Sequence, residues 1–289
     1  MSSSRAEDAA AAGAAGESPI VIEATARSAH YWRELWRYRE LFVILAWRDV
    51  AVRYKQMALG IAWAVLRPLL TMAIFTLVFS RLARLPSEGQ APYSLMVFAG
   101  MLPWFLFSSA LGGASESMVG NAHLIGKIYF PRMIIPAAAI VTALIDFLVS
   151  FAVLVALMLV LGFAPGWQIV FLPAFVLLAL VVSFGPGLWI ASLNVKYRDF
   201  RLLVPFLLQL GLYLSPVGFT SGIAPPEWRA LYGLNPMVAV IDGFRWSLLG
   251  GETPLRASDM VACVTVSAVL LWTGIRRFRN TERTFADLV

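Results

Sequence analysis

The sequence predicts an all-helical protein with six transmembrane helices. Of its 289 residues, 60% are hydrophobic and only 14% are charged, whereas soluble domains carry roughly 25% charged residues. The mean hydropathy is +0.75. The apolar runs are continuous and lack the alternation of a barrel wall, which excludes transmembrane strands. Each run is near or above the roughly 20 residues that cross a bilayer as a helix; the runs are residues 57–80, 93–115, 133–161, 168–193, 202–220 and 257–275.

Two segments precede the first apolar run. Residues 1–28 are rich in Ala, Ser and Gly and cannot bury enough apolar surface to fold, so we predict a disordered tail. Residues 29–47 place apolar and basic side chains on different helical faces, and the apolar face holds Trp32, Leu35, Trp36, Phe42 and Leu45. This pattern predicts a helix lying in the membrane interface, with packing on a soluble partner as the alternative. We predict that residues 29–289 form one membrane domain with six transmembrane helices.

The next segment fixes the orientation of the chain. Residues 48–68 read R-D-V-A-V-R-Y-K-Q-M-A-L-G-I-A-W-A-V-L-R-P, a basic stretch that enters the first span without a turn signal. Lys and Arg are retained on the cytoplasmic side while apolar segments insert. With the N-terminus inside, the short cytoplasmic segments hold twelve Lys and Arg residues and the outer segments five. We therefore predict a multi-pass inner-membrane protein with both termini in the cytoplasm, and the net charge of +6 needs no nucleic-acid partner.

Two connecting segments have structure of their own. Residues 116–132 are too polar to continue the second span and too apolar for a free loop. They predict a short amphipathic helix that docks on another protein through Leu124, Ile125, Ile128 and Phe130, with Lys127 available to pair; resting on lipid headgroups is the alternative. Between spans five and six, breakers at 225–226, 235–236 and 250–251 delimit two helices of about ten residues, which are too short to span a membrane.

The residues of an enzyme active site are missing from the sequence. His30 and His123 are the only histidines, Cys263 is the only cysteine, and the acidic residues are scattered, so we expect neither a catalytic group nor a bound metal. Residues 120–128 approach a phosphate-binding loop, but five residues separate the glycines and Ile128 replaces the required Ser or Thr. If ATP is used, another chain must hydrolyse it.

Charges and aromatic residues within the spans are candidates for a transport path. Arg67 and Asp146 lie inside apolar runs, where a charge costs on the order of 2.5 to 3.5 kcal/mol at the centre. They predict either a polar lining for a hydrophilic substrate or, equally, a structural ion pair or a snorkelling Arg. Aromatic residues near span ends form interfacial belts, and their faces also stack on sugar rings; we select Trp63, Trp104, Phe107 and Tyr213 as path residues.

Four stretches, in order, resemble the permease subunits of ABC exporters for polysaccharides and polyol phosphates, which export O-antigen, capsule and teichoic acid. The stretches are the junction at 48–68, N-A-H-L-I-G-K-I-Y-F-P-R at 121–132, N-V-K-Y-R-D-F-R-L-L-V-P-F-L-L-Q at 194–209 and L-N-P-M-V-A-V-I-D-G-F-R-W-S-L-L-G at 234–250. The resemblance implies a homodimer bound to two copies of a cytoplasmic ATPase subunit, which holds ATP and Mg²⁺. It also implies a channel at the dimer interface and a lipid-linked polysaccharide as substrate.

The resemblance further assigns roles to particular residues. Residues 117–129 would be the coupling helix seated on the ATPase, with His123, Leu124, Lys127, Ile128 and Tyr129 as its contacts. The two short helices after span five would gate the exit through Trp228, Tyr232, Phe244, Arg245 and Trp246. The pyrophosphate or lipid headgroup of the substrate would meet Arg48, Arg53 and Lys55. A related ABC permease for small drugs or lipids, or a secondary transporter with a coupling-ion site, is the alternative.

Overall fold

The computed structural model describes residues 28–55, 60–84, 87, 91–125, 129–197, 199–223, 225–251, 253–282 and 285. The predicted disordered tail, apart from Ser28, lies outside these residues. The described residues divide into two units, one within Met1–Arg37 and one within Tyr38–Val289. In the first unit, the described residues form helix α1 (Ser28–Arg37). All regular secondary structure in the described residues is helical, as the sequence predicts.

The second unit is a bundle of long helices joined by shorter ones. In chain order the helices are α2 (Arg39–Lys55), α3 (Gly60–Phe75), α4 (Tyr93–Gly120), α5 (Ala122–Ile125), α6 (Ile134–Val160), α7 (Leu172–Asn194), α8 (Phe200–Leu214), α9 (Arg229–Gly233), α10 (Pro236–Leu248) and α11 (Ala257–Glu282). A π-helical turn (Thr76–Leu82) extends α3, and a 3₁₀ turn (Trp167–Phe171) precedes α7.

Five helical segments in the described residues are long and apolar enough to cross a membrane, against six predicted. They are Val65–Leu82, Tyr93–Gly120, Ile134–Val160, Trp167–Asn194 and Ala257–Glu282. The predicted fifth span is represented by α8, whose 15 residues reach about 22 Å at 1.5 Å per residue. The structure therefore establishes a multi-pass helical membrane protein but not a sixth full-length span.

Helix α8 stops at Leu214 instead of continuing to residue 220 because the following backbone is held by another helix. Ser215 has an extended conformation and Pro216 cannot donate a helical hydrogen bond. The carbonyl oxygens of Val217 and Phe219 accept hydrogen bonds from the Arg245 guanidinium instead. Irregular backbone at membrane depth is tolerated where protein surrounds it and supplies its hydrogen bonds.

Two other helix boundaries differ from the sequence prediction. The predicted interfacial helix over 29–47 is divided by a turn at Tyr38, and α2 then continues to Lys55. Helix α4 extends through Gly120, although residues 116–120 were predicted to leave the second span. The hydroxyls of Ser115 and Ser117 donate to carbonyl oxygens three residues earlier, so these polar side chains are satisfied inside the helix.

The core of the second unit forms around α4. This helix packs against α6 and α7, and α10 fits among α4, α7 and α11. Helices α7 and α11 approach closely at Gly185 and Gly274, where a Cβ on Gly274 would lie only 2.3 Å from the Gly185 carbonyl oxygen. Helices α3 and α8 lie at the periphery, and Val204 is the buried residue of α8.

The segment between α8 and α11 contains two short helices, as predicted, but of unequal length. Helix α9 has 5 residues and α10 has 13. Asn235 caps α10, since its side-chain oxygen accepts a 3.0 Å hydrogen bond from the Met237 amide. Gly250 and Gly251 end the segment with φ angles of 86° and 83°, a conformation that favours glycine.

Candidate transport cleft and coupling surface

A cleft of about 540 Å³ lies between helices α2, α3, α4, α6 and α8. Its wall combines charged, hydroxyl, amide and aromatic side chains, which is unusual for helices embedded in an apolar phase. The polar members are Arg53, Tyr54, Arg67, Ser108, Ser109, Asp146, Ser150 and Gln209, and the aromatic members are Trp104, Phe105 and Phe147. Such a lining can accommodate a hydrophilic group inside the membrane.

The carboxylate of Asp146 on α6 binds two residues of α2, one through an ion pair and one through a hydrogen bond. Its Oδ2 atom lies 2.6 Å from Nη2 of Arg53, and its Oδ1 atom accepts a 2.7 Å hydrogen bond from the Tyr54 hydroxyl. Burial and this hydrogen bond raise the pKa of Tyr54 to about 12, so the hydroxyl remains a donor at physiological pH. The intramembrane carboxylate thus belongs to an ion pair and also lines the cleft, which combines the two alternatives left open by the sequence.

Arg67 on α3 is a cation of the cleft that forms no ion pair with any carboxylate of the described residues. Its guanidinium carbon lies 5.9 Å from the ring centroid of Phe105, within the range of a cation–π contact. Arg67 is seven residues into α3, about 10 Å along the helix axis. The charge is therefore available to an anionic group that enters the cleft.

The other predicted path residues separate into two locations. Trp104, 5% exposed, lies between the cleft and a second, apolar cavity of about 270 Å³. Phe107 packs on Trp104 with ring centroids 5.3 Å apart and lines the second cavity. Tyr213 is 61% exposed on α8 and lines neither of these two cavities. The side chain of Trp63 lies outside the described residues.

The cations predicted to meet a lipid headgroup differ in their surroundings. The Arg48 Nη2 atom donates a 2.7 Å bond to Asp49 and a 2.6 Å bond to the side-chain oxygen of Asn121. Arg53 forms the pair with Asp146 described above. Lys55 is exposed at the end of α2. Sequence alone gave no reason to single out Tyr54 or Asn121, whose importance depends on contacts with residues 92 and 73 positions away.

Residues 117–120 of the predicted coupling segment form the last turn of α4, so the coupling segment begins at Asn121, and it is held at both ends. Asn121 at its beginning accepts the hydrogen bond from Arg48. Beyond its other end, the Arg132 amide donates a 2.6 Å hydrogen bond to the Glu282 carboxylate, and the Arg132 guanidinium donates to the Glu282 carbonyl oxygen. Between these anchors, His123 is exposed and Tyr129 is 68% exposed. The coupling segment is therefore anchored on both sides of His123 and Tyr129, whose side chains are exposed.

The remaining coupling residues are less accessible or outside the described residues. Leu124 is half-buried. Ile125 and Phe130, predicted to be available for a partner together with Leu124, are both buried within the second unit. Lys127 and Ile128 lie outside the described residues. The candidate docking surface in the described part of the segment therefore consists of His123, Leu124 and Tyr129.

The predicted gate residues include both surface and core positions. Arg245 is completely buried and donates hydrogen bonds of 2.8 to 3.2 Å to the carbonyl oxygens of Met96, Val217 and Phe219. Phe244 is also buried and meets the Phe147 ring edge-on. In this conformation, these two residues stabilise the interior of the protomer.

The other three gate candidates lie nearer the surface. Trp228 is exposed, and Trp246 packs edge-on against Trp167 and Phe171. Tyr232 is half-buried, and burial together with the charge of Asp242 raises its pKa well above the usual value for tyrosine.

The sequence analysis missed five polar cleft residues, which are Tyr54, Ser108, Ser109, Ser150 and Gln209. Ser108 and Ser109 look like ordinary small residues of an apolar helix, and only the fold shows that they face the cleft. Gln209 carried a detectable signal, since it is the one amide within residues 202–220. A polar side chain in an apolar run is expected to face protein or water rather than lipid.

The fold and the cleft define a class, a multi-pass helical membrane protein with a polar path among its helices. Residues 40–249 match the family described as ABC-2 type transporter, so the chain belongs to that family. The chain is therefore a permease subunit of an ABC transporter, which confirms the family predicted from the four sequence stretches.

Several relatives are similar along most of their length. The O-antigen export system permease protein RfbA of Myxococcus xanthus is 31% identical over 259 residues, covering 89% of this chain and 98% of the relative. A protein of the same name from Klebsiella pneumoniae is 27% identical, covering 86% and 95%. The inner membrane transport permease YadH of Escherichia coli K12 is 26% identical, covering 74% and 87%.

Proposed function

We propose that this permease exports a lipid-linked polysaccharide of the O-antigen or capsule type from the cytoplasm across the inner membrane. The observation that carries the proposal is the polar cleft, because a hydrophilic polymer needs hydrogen-bonding and aromatic groups at membrane depth. The relatives named as O-antigen export permeases, which match almost end to end, support the same substrate class. A related permease for small drugs or lipids is the alternative.

The working unit is a homodimer with the channel between its two copies. Helices α3 and α8 border the cleft and expose apolar side chains away from the core of the protomer, among them Leu66, Leu70, Phe206 and Leu210. A second copy covering these faces would enclose the cleft and extend it to a continuous path. Contact with lipid alone is the competing explanation, and the oligomeric state of the purified permease distinguishes the two.

ATP and Mg²⁺ bind to a separate cytoplasmic ATPase subunit, two copies of which dock on the coupling segment. Of the described residues, His123, Leu124 and Tyr129 are accessible enough to contact this subunit, and Lys127 and Ile128 are the further candidates. Both termini and the coupling segment then lie in the cytoplasm, in agreement with the distribution of Lys and Arg. Helix α2 lies in the membrane interface, consistent with the exposed side chains of Val43, Ile44 and Trp47.

The phosphate groups of the substrate meet cations at the cytoplasmic end of the cleft. Arg67 has the most available charge, since Arg48 and Arg53 already contact Asn121 and Asp146. Lys55 contributes from the exposed end of α2, and the paired arginines add positive potential. The sugars then pass Trp104, Phe107 and Tyr213, and Trp63 is the fourth aromatic candidate for this path.

The exit is controlled by the outer segment. Trp228, Tyr232 and Trp246 form its accessible aromatic surface, while Arg245 and Phe244 hold α10 in place. Movement of α9 would therefore change the width of the exit while α10 stays in place.

Deletion of the gene tests the proposed function. We expect the polymer to disappear from the cell surface and its lipid-linked form to accumulate inside, and the wild-type permease to restore export. The Arg67→Gln variant should restore it poorly, because the cleft loses its available cation. An unchanged surface polysaccharide in the deletion strain would reject the proposal and favour the small-molecule alternative.

A further inference from the structure

Helix α2 is attached to two separate parts of the permease by charged side chains. Near its middle, Arg48 donates a 2.6 Å hydrogen bond to Asn121, the residue that follows α4 and begins the coupling segment. Near its end, Arg53 and Tyr54 bind Asp146 at distances of 2.6 and 2.7 Å. One helix thus connects the coupling segment with a wall of the cleft.

The spacing of these attachments suits the transmission of movement. Arg48 and Arg53 are five residues apart on a continuous helix, a separation of about 7.5 Å along its axis. Helix α2 also packs along α6, with Leu45 and Ala46 buried. A displacement at Asn121 would therefore be carried to Asp146 by a rigid element instead of being absorbed by a loop.

Arg48 and Asp146 each keep one polar partner when these attachments break. Arg48 also binds Asp49, so it keeps an ionic partner when it leaves Asn121. Asp146 also binds Tyr54, so it keeps a hydrogen-bond donor when it leaves Arg53. The Arg53 and Asp146 side chains are 42% and 24% exposed, which lowers the desolvation penalty that makes a fully buried pair rigid. Because Arg48 and Asp146 each have a second partner, conformations with and without these two attachments can be similar in energy.

We propose that α2 is a positioning helix that transmits movement of the coupling segment to the α6 wall of the cleft, with Arg48 and Arg53 as its two attachment points. The inference rests on the proposed function insofar as the ATPase moves the coupling segment. The competing route is direct, because α6 begins at Ile134, shortly after the segment. If the direct route suffices, removing either attachment leaves cleft movement intact.

The test measures cleft movement without any substrate. Spin labels at the exposed positions Leu148→Cys on α6 and Leu202→Cys on α8, in a Cys263→Ser background, report the distance between two helices that border the cleft. The permease is bound to its ATPase subunit in lipid nanodiscs, with labels on one copy of each dimer. The distance is measured by electron paramagnetic resonance without nucleotide and with a non-hydrolysed ATP analogue.

We expect the ATP analogue to change the distance in the spin-labelled permease. We expect this change to be lost when Arg48→Gln or Arg53→Gln is added. Glu40→Gln, an exposed position on the same helix, is the matched control and should retain the change. The charge-exchanged pair Arg53→Asp with Asp146→Arg should recover it, which a role limited to folding does not predict. An unchanged distance response in both single variants would overturn the proposal.

A second readout separates this inference from the proposed function. In proteoliposomes, Asn121→Ala removes the Arg48 attachment without removing a cation from the substrate path, and should retain ATP hydrolysis but move at least about 5-fold less substrate per ATP, the lower limit of the roughly 5- to 150-fold range of allosteric coupling. Equal losses of hydrolysis and transport would contradict a role in transmission. The wild-type complex could show the expected distance change but move no lipid-linked polysaccharide. In that case the proposed substrate is wrong, and the role of α2 is unaffected.

Discussion

Replacement of Arg245 by Met tests whether this residue mainly stabilises the protomer. The side chain of Met fills much of the same volume but donates no hydrogen bonds. Three carbonyl oxygens, of Met96, Val217 and Phe219, would lose the guanidinium. At about 1 to 3 kcal/mol for each unsatisfied buried group, the expected loss is about 3 to 9 kcal/mol. This is a large share of the 5 to 15 kcal/mol that typically stabilises a native protein.

The measurement is the thermal unfolding midpoint of the purified permease in detergent, followed by intrinsic tryptophan fluorescence. A loss of 3 kcal/mol should lower Tm by at least about 6 °C, using 2 to 4 °C per kcal/mol for a chain of this size range. Arg256→Met is the matched control, since Arg256 is a half-exposed position at which the change should be within about 0.5 kcal/mol. Equal Tm values for the two variants would refute the structural role of Arg245.

A neighbouring glycine provides an independent check of the same cluster. A Cβ at position 100 would lie 2.8 Å from Nη2 of Arg245 and 3.0 Å from the Val217 carbonyl oxygen. Gly100→Ala should therefore displace the guanidinium and lower Tm, by less than Arg245→Met because some hydrogen bonds can be retained. A stability equal to that of the wild type would show that the cluster has more room than these distances imply.

Three further predictions concern other parts of the molecule. Gly274→Val should prevent close packing of α7 and α11, because even a Cβ would overlap the Gly185 carbonyl, and a folded permease of normal Tm would contradict this. Arg67→Gln should lower polysaccharide export several-fold with little change in basal ATP hydrolysis, whereas the exposed Arg201→Gln should behave as wild type; equal export by both variants would remove Arg67 from the substrate path. Lys127→Glu should lower transport and substrate-stimulated ATP hydrolysis together, and unchanged values would remove this residue from the coupling contact.

The long spans were predictable from sequence because their signal is local and strong. Continuous apolar runs identify α6, α7 and α11 within a few residues of one end or both. The end of α8 was not predictable, since it depends on Arg245, about 30 residues later in the chain. The extension of α4 was missed because the polar residues after position 115 were interpreted as a separate amphipathic helix, whereas the hydroxyls of Ser115 and Ser117 bond within α4.

The site was predictable in its residue types more than in its contacts. The sequence analysis selected Arg67 and Asp146 because each is a charge inside an apolar run, and the cleft contains both residues. Their relationship was not predictable, because Asp146 pairs with Arg53 of α2 and not with Arg67. An ion pair between residues 93 positions apart is determined by tertiary packing, for which a single sequence contains no direct signal.

Transport by the reconstituted complex tests the central claim most directly. The permease and its ATPase subunit are placed in proteoliposomes, lipid-linked polysaccharide is supplied on the ATPase side, and a glycosidase on the opposite side detects translocated polymer. We predict ATP-dependent cleavage that is strongly reduced by Arg67→Gln and retained by Arg201→Gln. The contradicting result is a complex that hydrolyses ATP and moves a small drug or a phospholipid but gives no ATP-dependent cleavage of the polymer. This chain would then not be a polysaccharide exporter.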